Sequence, residues 1–315
     1  MNDRTRRADA VSQGIGYLAS HQLPYGELRT CRSDDPTLVR DPVFESSPYG
    51  TTYVLHSLRF VDDPRAAALA ERALDFLAGE MEPPGLWRYY TSRNTKLLPP
   101  DLDDTACASL ALRDRHDEIQ LGLNLRQILA NRDEDGCFRT FLGSPSANNV
   151  DAVVNANVLA YLGEREETRA ACDYLCRIVT QGDEGRASLY GVDDLSFDYV
   201  LSRAWFLGVK SLEPCRAPIV RRILARQRDD GTFGDALATA LACASLRNFG
   251  ETPADVLDRA LNALCAQQSA DGSWPRSTFY IDFNGGFYGS EELTTALAVE
   301  ALARAPRHPE PGFLA

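Results

Sequence analysis

Apolar residues recur at helical spacing along nearly the whole chain, and the segments they define are of two kinds. One kind sets Arg, Glu and Gln on a single face, as in Arg65-Ala66-Ala67-Ala68-Leu69-Ala70-Glu71-Arg72-Ala73-Leu74-Asp75-Phe76-Leu77. Such patterns predict amphipathic, solvent-facing helices over 9–20, 64–80, 118–131, 164–180, 214–227 and 253–268. The other kind is small and apolar almost all round, as in Ala236-Leu237-Ala238-Thr239-Ala240-Leu241-Ala242-Cys243-Ala244-Ser245-Leu246. It predicts buried helices over 49–61, 103–113, 150–162, 197–207, 234–247 and 290–303.

A short phrase punctuates these pairs: a polar residue, three more, Gly, any residue, then an aromatic. It reads Gln268-Ser269-Ala270-Asp271-Gly272-Ser273-Trp274 and Gln227-Arg228-Asp229-Asp230-Gly231-Thr232-Phe233. Looser copies end at Phe138, at Trp87 and, with Leu in place of the ring, at Leu28. Successive glycines are separated by 59, 51, 95 and 41 residues, so the long gap predicts a degenerate copy, best placed at Gln181-Gly182-Asp183-Glu184-Gly185. Taken alone the phrase is a helix C-cap with a left-handed Gly and a ring over the last turn, which speaks of architecture rather than chemistry. Six hairpins, each with an outer amphipathic and an inner apolar helix, hide their inner faces if the row closes. The predicted fold is all-α, a single α/α barrel (α/α6, a toroid of six hairpins) over residues 1–315. The alternative, an open solenoid, needs polar terminal caps that neither end supplies.

Composition narrows the partners. The chain is 44% hydrophobic and 25% charged, as in ordinary globular proteins, and holds no apolar run long enough to span a membrane. No apolar segment of a secretory signal follows Met1, so the cytoplasm is the expected location. A net charge of −12 excludes nucleic acid or anionic lipid as the main partner, and leaves a phosphorylated substrate only a local basic patch. The eight cysteines form no Cys-x-x-Cys pair and read as buried, reduced thiols. Cys172 and Cys176 share a helix face, but His21, His56, His116 and His308 are too scattered to complete a metal site, so none is expected.

In such a barrel the six inner helices run the same way and their N-termini gather at one mouth. Most Ser, Thr, Asp and Asn residues there are explained as caps. Asp101-Leu102-Asp103-Asp104-Thr105 is the exception, with three carboxylates at the start of one buried helix. Crowding raises the proton affinity of at least one of them, while the helix dipole favours those left ionised. A protonated carboxyl at the mouth of an apolar cavity can protonate an alkene, provided aromatic faces stabilise the resulting cation. Tyr49, Tyr53, Trp205, Phe206 and Tyr288 are the leading candidate rings for binding substrate. Trp87, Tyr161, Phe197, Tyr199, Phe233 and Phe287 are further ones.

Asp101-Leu102-Asp103-Asp104-Thr105-Ala106 resembles the Asp-x-Asp-Asp signature of class II terpene cyclases, the squalene-hopene cyclase relatives. The stretch from Gln268 to Trp274 resembles their Gln-Trp repeat, which protein prenyltransferase β-subunits share. The resemblance implies that Asp103 is the general acid that starts cyclisation of an isoprenoid, with Asp101 and Asp104 supporting it. A farnesyl or geranylgeranyl chain is the expected substrate, with water or proton loss ending the reaction. No cofactor is expected, except magnesium if the substrate is a diphosphate. Arg88, Arg93 and Lys96 are the nearest basic residues for a phosphorylated head group. The prenyltransferase zinc site needs an Asp, a Cys and a His, and no histidine pairs with Asp104 and Cys107. The family usually sets its site between two barrels, whereas this chain has length for one. A homodimer, a separate second-barrel partner chain and a compact single-barrel cyclase are therefore all open. Two other classes compete: a binding or scaffold barrel without catalysis, and an α/α-barrel enzyme on sugars. The last requires a carboxylate opposite Asp103, such as Asp198 or Glu292.

Overall fold

The computed structural model describes residues 2–115, 118–143, 148–191, 193–251 and 253–304. In chain order its helices are α1 (Asp3–His21), α2 (Pro48–Leu58), α3 (Pro64–Gly79), α4 (Leu102–Ala111), α5 (Glu118–Ala130), α6 (Ala152–Leu162) and α7 (Arg169–Gln181). They continue with α8 (Glu184–Ala187), α9 (Asp194–Phe206), α10 (Glu213–Ala225), α11 (Ala236–Asn248), α12 (Ala254–Gln267) and α13 (Glu291–Ala303). Helices α2, α4, α6, α9, α11 and α13 pack each on the next, and α13 packs back on α2, so the inner ring is closed. This settles the choice against an open solenoid. The amphipathic α1, α3, α7, α10 and α12 bury only their apolar stripes against that ring.

Every predicted inner and outer helix has its counterpart, with bounds that differ by a few residues. The largest shifts are at starts: α1 begins at Asp3, and α7 at Arg169 because a short 3-10 turn, Glu166–Thr168, takes up the preceding residues. Each inner helix opens on a capping side chain that accepts a backbone N–H: Ser47, Asp101, Asp151, Asp193, Asp235 and Ser290. The first turns of α2, α6 and α9 come together around one pocket, at the mouth of the barrel.

The recurring phrase staples neighbouring units together. Gln268 donates through Nε2 to the carbonyls of Gly272 and of Ala10 on α1, at 3.0 and 2.9 Å. Gln227 and Gln22 repeat this pattern on the next outer helix in line, at Val256 and Leu69. The terminal residue of each phrase donates its backbone N–H to a hydroxyl or amide on the following inner helix: Leu28 to Thr51, Trp87 to Thr105, Phe138 to Asn155, Phe233 to Thr239 and Trp274 to Thr295. Gly272 has φ +90°, and a Cβ there would lie 2.6 Å from the Gln13 carbonyl oxygen, so only Gly lets α1 approach.

A small antiparallel sheet crosses the mouth, with strand order β2-β1-β4-β3. Its strands are β1 (Cys31–Ser33), β2 (Val43–Phe44), β3 (Tyr280–Ile281) and β4 (Phe287–Gly289). The pairing of Arg32 with Tyr288 ties the first unit to the last. Strands of two or three residues carry no readable alternation, so the helical pattern alone does not reveal them. All eight cysteines are free thiols, and Cys176 Sγ lies 3.5 Å from Cys215 Sγ, between α7 and α10. Among the described residues, no group of His, Cys, Asp and Glu is arranged to hold a metal ion, and no helix is long and apolar enough to cross a membrane. His116 and His308 lie outside the described residues.

Candidate active site

The three aspartates take different parts in the first turn of α4. Asp101 is the N-cap, and its Oδ1 accepts the Asp104 N–H at 2.8 Å. Asp101 and Asp104 are buried, at 4% and 2% exposure, and each keeps one carboxyl oxygen without a hydrogen-bond partner, Oδ2 and Oδ1. A proton held between the two carboxyls satisfies both. Burial and the neighbouring charges of Asp101 and Asp103 push the Asp104 carboxyl well above the usual range, and burial pushes Asp101 up to about 7, so the pair favours holding a proton. Asp103 differs in keeping part of its surface accessible.

Around Asp103 the inner helices bring together residues far apart in sequence. Asn157 of α6 donates through Nδ2 to Asp103 Oδ1 at 2.6 Å and to the Tyr53 hydroxyl at 3.2 Å. Tyr53 and Tyr49, one turn apart on α2, meet hydroxyl to hydroxyl at 3.1 Å, and Tyr49 hydrogen bonds Asp103. Arg203 of α9, 1% exposed, donates through Nη2 to Asn157 Oδ1 at 2.5 Å and to Cys107 Sγ at 3.6 Å. Its guanidinium lies over the Tyr53 ring, 4.4 Å from the centroid. Burial pushes the Asp103 carboxyl up to about 6, while hydrogen bonds from Asn157 and Tyr49 and the charge of Arg203 hold it there rather than higher.

Beside this acid, at the level of the first turns of α2, α6 and α9, lies a mostly apolar pocket. It is walled by Tyr49, Val153, Ser196, Val200, Phe279 and Tyr280. Phe279 sets its ring edge-on to Tyr53 and Tyr280 to Tyr49, at 5.0 and 5.1 Å. Tyr288 is in a layer behind, stacked on Tyr280 at 4.9 Å with its hydroxyl on Asp282. Toward the far end a buried network of Glu300 with Ser57, Tyr199 and Arg304 closes the barrel. The site thus sets a protonatable, partly accessible carboxyl one hydrogen bond away from an aromatic-walled, mostly apolar pocket, through Tyr49. Such an arrangement suits proton delivery to an apolar double bond.

Several expected ligands lie elsewhere. Trp205 and Phe206 stand at the C-terminal end of α9, the end away from Asp103, where Trp205 packs on Phe249 and Phe206 on Phe60. A residue late in an inner helix emerges opposite the mouth, so these two rings do not join the pocket. Tyr161, under Arg113, is likewise at the far end of α6, and Trp87 donates its indole N–H to the Leu77 carbonyl. Arg88 is paired with Glu82, Arg93 with Glu80 and Lys96 with Glu45, so a phosphorylated head group meets cations already neutralised. The carboxylates named for a sugar enzyme are also engaged: Asp198 turns outward to Arg222 of α10, and Glu292 pairs with Arg29 at 3.4 Å. Asn157 and Arg203, absent from the sequence expectation, are the principal additions. The available signal was a strongly polar residue interrupting an otherwise apolar inner helix.

Residues 66–164 match the family model described as the sesquiterpene cyclase astC-like C-terminal domain. That stretch holds the three aspartates and Asn157 but not Arg203. No curated protein matches the sequence. Among solved structures, the type II terpene cyclase MstE from Scytonema aligns with a TM-score of 0.73 at 18% identity, over 95% of this chain and 98% of that one. The fold is that of a type II terpene cyclase. A protein from Actinoplanes aligns over 94% and 98% of the two chains, with a TM-score of 0.72 at 19% identity. The ent-copalyl diphosphate synthase from Streptomyces platensis gives 0.62 at 22% identity, over 81% of this chain but only 50% of that one. This single barrel therefore spans 98% of MstE and half of the larger enzyme.

Proposed function

We propose that the protein is a class II terpene cyclase, in which Asp103 protonates an alkene of a linear isoprenoid and so starts cyclisation. The observation that carries this reading is that Asp103, alone of the three aspartates only partly buried, hydrogen bonds Tyr49, whose ring walls the aromatic pocket. The faces of Tyr49, Phe279 and Tyr280 would stabilise the cation, whereas Arg203 already occupies one face of Tyr53. Asp101 and Asp104 support the acid by holding the first turn and keeping a proton between them. Loss of a proton, or attack of water, would end the reaction and return the balance. The proton transfer needs no redox group or metal, and magnesium would enter only with a diphosphate head group. A farnesyl or geranylgeranyl derivative is the proposed substrate, in line with the geranylgeranyl dihydroxybenzoate bound in variants of MstE.

One barrel is sufficient in this reading, because this chain supplies an acid, its hydrogen-bond partners and an aromatic wall, and it matches 98% of MstE. The test is to incubate the purified protein with prenyl alcohols, phosphates, diphosphates and prenylated hydroxybenzoates and to analyse the products. Cyclic product from the wild type and none from Asp103→Asn supports the proposal. Equal turnover by both variants means that another group is the acid. A wild type that turns over nothing in the panel leaves the scaffold reading the stronger.

A further inference from the structure

Arg203 is buried in the barrel interior, yet it forms no ion pair with a carboxylate among the described residues. A cation in that position is costly unless its contacts are specific. Its polar partners are Asn157 Oδ1 and Cys107 Sγ, its ring partner is Tyr53, and its Nε is left without a hydrogen bond. A guanidinium has donors and no acceptor, so it can meet the Asn157 carboxamide only on its oxygen side. The NH2 end must then point the other way, where its two hydrogens fall on Asp103 Oδ1 and the Tyr53 hydroxyl. A flipped carboxamide would set Oδ1 against the acid and take up the acidic proton in a hydrogen bond.

We infer that Arg203 is the positioning residue of the acid: by fixing Asn157 it keeps Asp103 Oδ1 an acceptor and confines the acidic proton to Oδ2. This rests on the protonation reading for its use in turnover, but not for its geometry. The ionisable groups facing Asp103 are Asp101, Asp104 and Cys107 on α4, Tyr49 and Tyr53 on α2, the α6 cap Asp151, Tyr190 before α9, and Arg203 on α9. Of these Arg203 is the cation, and Asn157 stands between it and the acid. The carboxyl oxygen that accepts from Asn157 favours the ionised form, so losing the clamp makes the acid weaker.

The test reads the titration of Asp103 itself, by carbon NMR of protein labelled at aspartate carboxyls, with Asp103→Asn assigning the signal. The wild type is expected to titrate near 6. Arg203→Met should raise the midpoint by about one unit, a tenfold gain in proton affinity. Arg203→Lys, which also has donors only, should stay close to the wild type. Asn157→Leu should also raise the midpoint, and the double variant should shift it by clearly less than the sum of the two single shifts, because Arg203 acts partly through Asn157 and partly by its own charge. An unmoved midpoint in folded Arg203→Met, or additive shifts in the double variant, overturns the inference. If Arg203→Met does not fold, Asn157→Leu and Arg203→Lys decide: a midpoint unmoved in the first, or raised as far in the second, overturns it. The titration requires no substrate, so a protein that cyclises nothing in the panel can still show the clamp. A working cyclase with no shift keeps the function and loses the clamp.

Discussion

Asp103 is held where its chemistry and its cost to the fold have the same origin. Burial raises its pKa from 3.8 to about 6, and the acid acts only while it carries its proton. Turnover limited by that protonation should therefore level off below pH of about 6 and fall about tenfold per pH unit above it, as a kcat profile would show. A flat profile up to about pH 8 assigns the acid elsewhere. The sign for stability follows from the same shift. The folded pKa is raised, so stability fully present below the unfolded value is lost as pH rises through the folded one. Asn cannot ionise, so Asp103→Asn should be more stable than the wild type at about pH 8, by up to roughly 3 kcal/mol, and little different at about pH 4. The same variant should lose at least about a hundredfold in kcat. Urea titrations at the two pH values and a rate assay check both halves. The aspartates were legible because they stand together in one turn. Asn157 and Arg203 were not, because their partners lie 54 and 46 residues away and meet only when the ring closes.

The elements repeat a single joint, and the strength of that joint depends on how near the next outer helix comes. Gly272 and Gly182 both have positive φ, at +90° and +72°. A Cβ at Gly272 would collide with the Gln13 backbone, whereas one at Gly182 meets nothing within 4 Å. Gly182→Ala should then cost only the left-handed penalty of roughly 1–2 kcal/mol. Gly272→Ala should cost that and, in addition, the displacement of α1, for a total of about 3 kcal/mol or more. Denaturant midpoints of the two variants measure the difference, and equal losses would show that the close approach at Gly272 carries no stability. In the degenerate fourth copy Gln181 ends α7, and the glycine equivalent to Gly272, Gly185, lies inside α8 without a left-handed φ, so the turn of the other copies does not form there. The hairpins were legible from periodicity because their helices are 10 to 19 residues long, enough for several turns of pattern. The mouth sheet was not, because its strands are too short to alternate, and it is this sheet that brings Phe279 and Tyr280 over the pocket.

For the molecule as a whole, the closed ring gathers the proposed acid and its partners from distant helices of one chain, and the proposal is that no second barrel is needed. The carboxyl comes from α4, its hydrogen-bond partners from α2, α6 and α9, and the cover from the segment around β3, all within one chain. The inner helices are already shielded by their own outer layer and by each other, so closing the barrel leaves no inner helix bare. A net charge of −12 also sets two copies against each other at low ionic strength. Turnover per chain should therefore stay constant as the protein is diluted from about 10 μM to about 10 nM, with sedimentation reporting the species present. A fall in specific activity that tracks dissociation of a dimer would mean that the partner copy completes the pocket. A constant value would mean that one copy of this chain is enough for turnover.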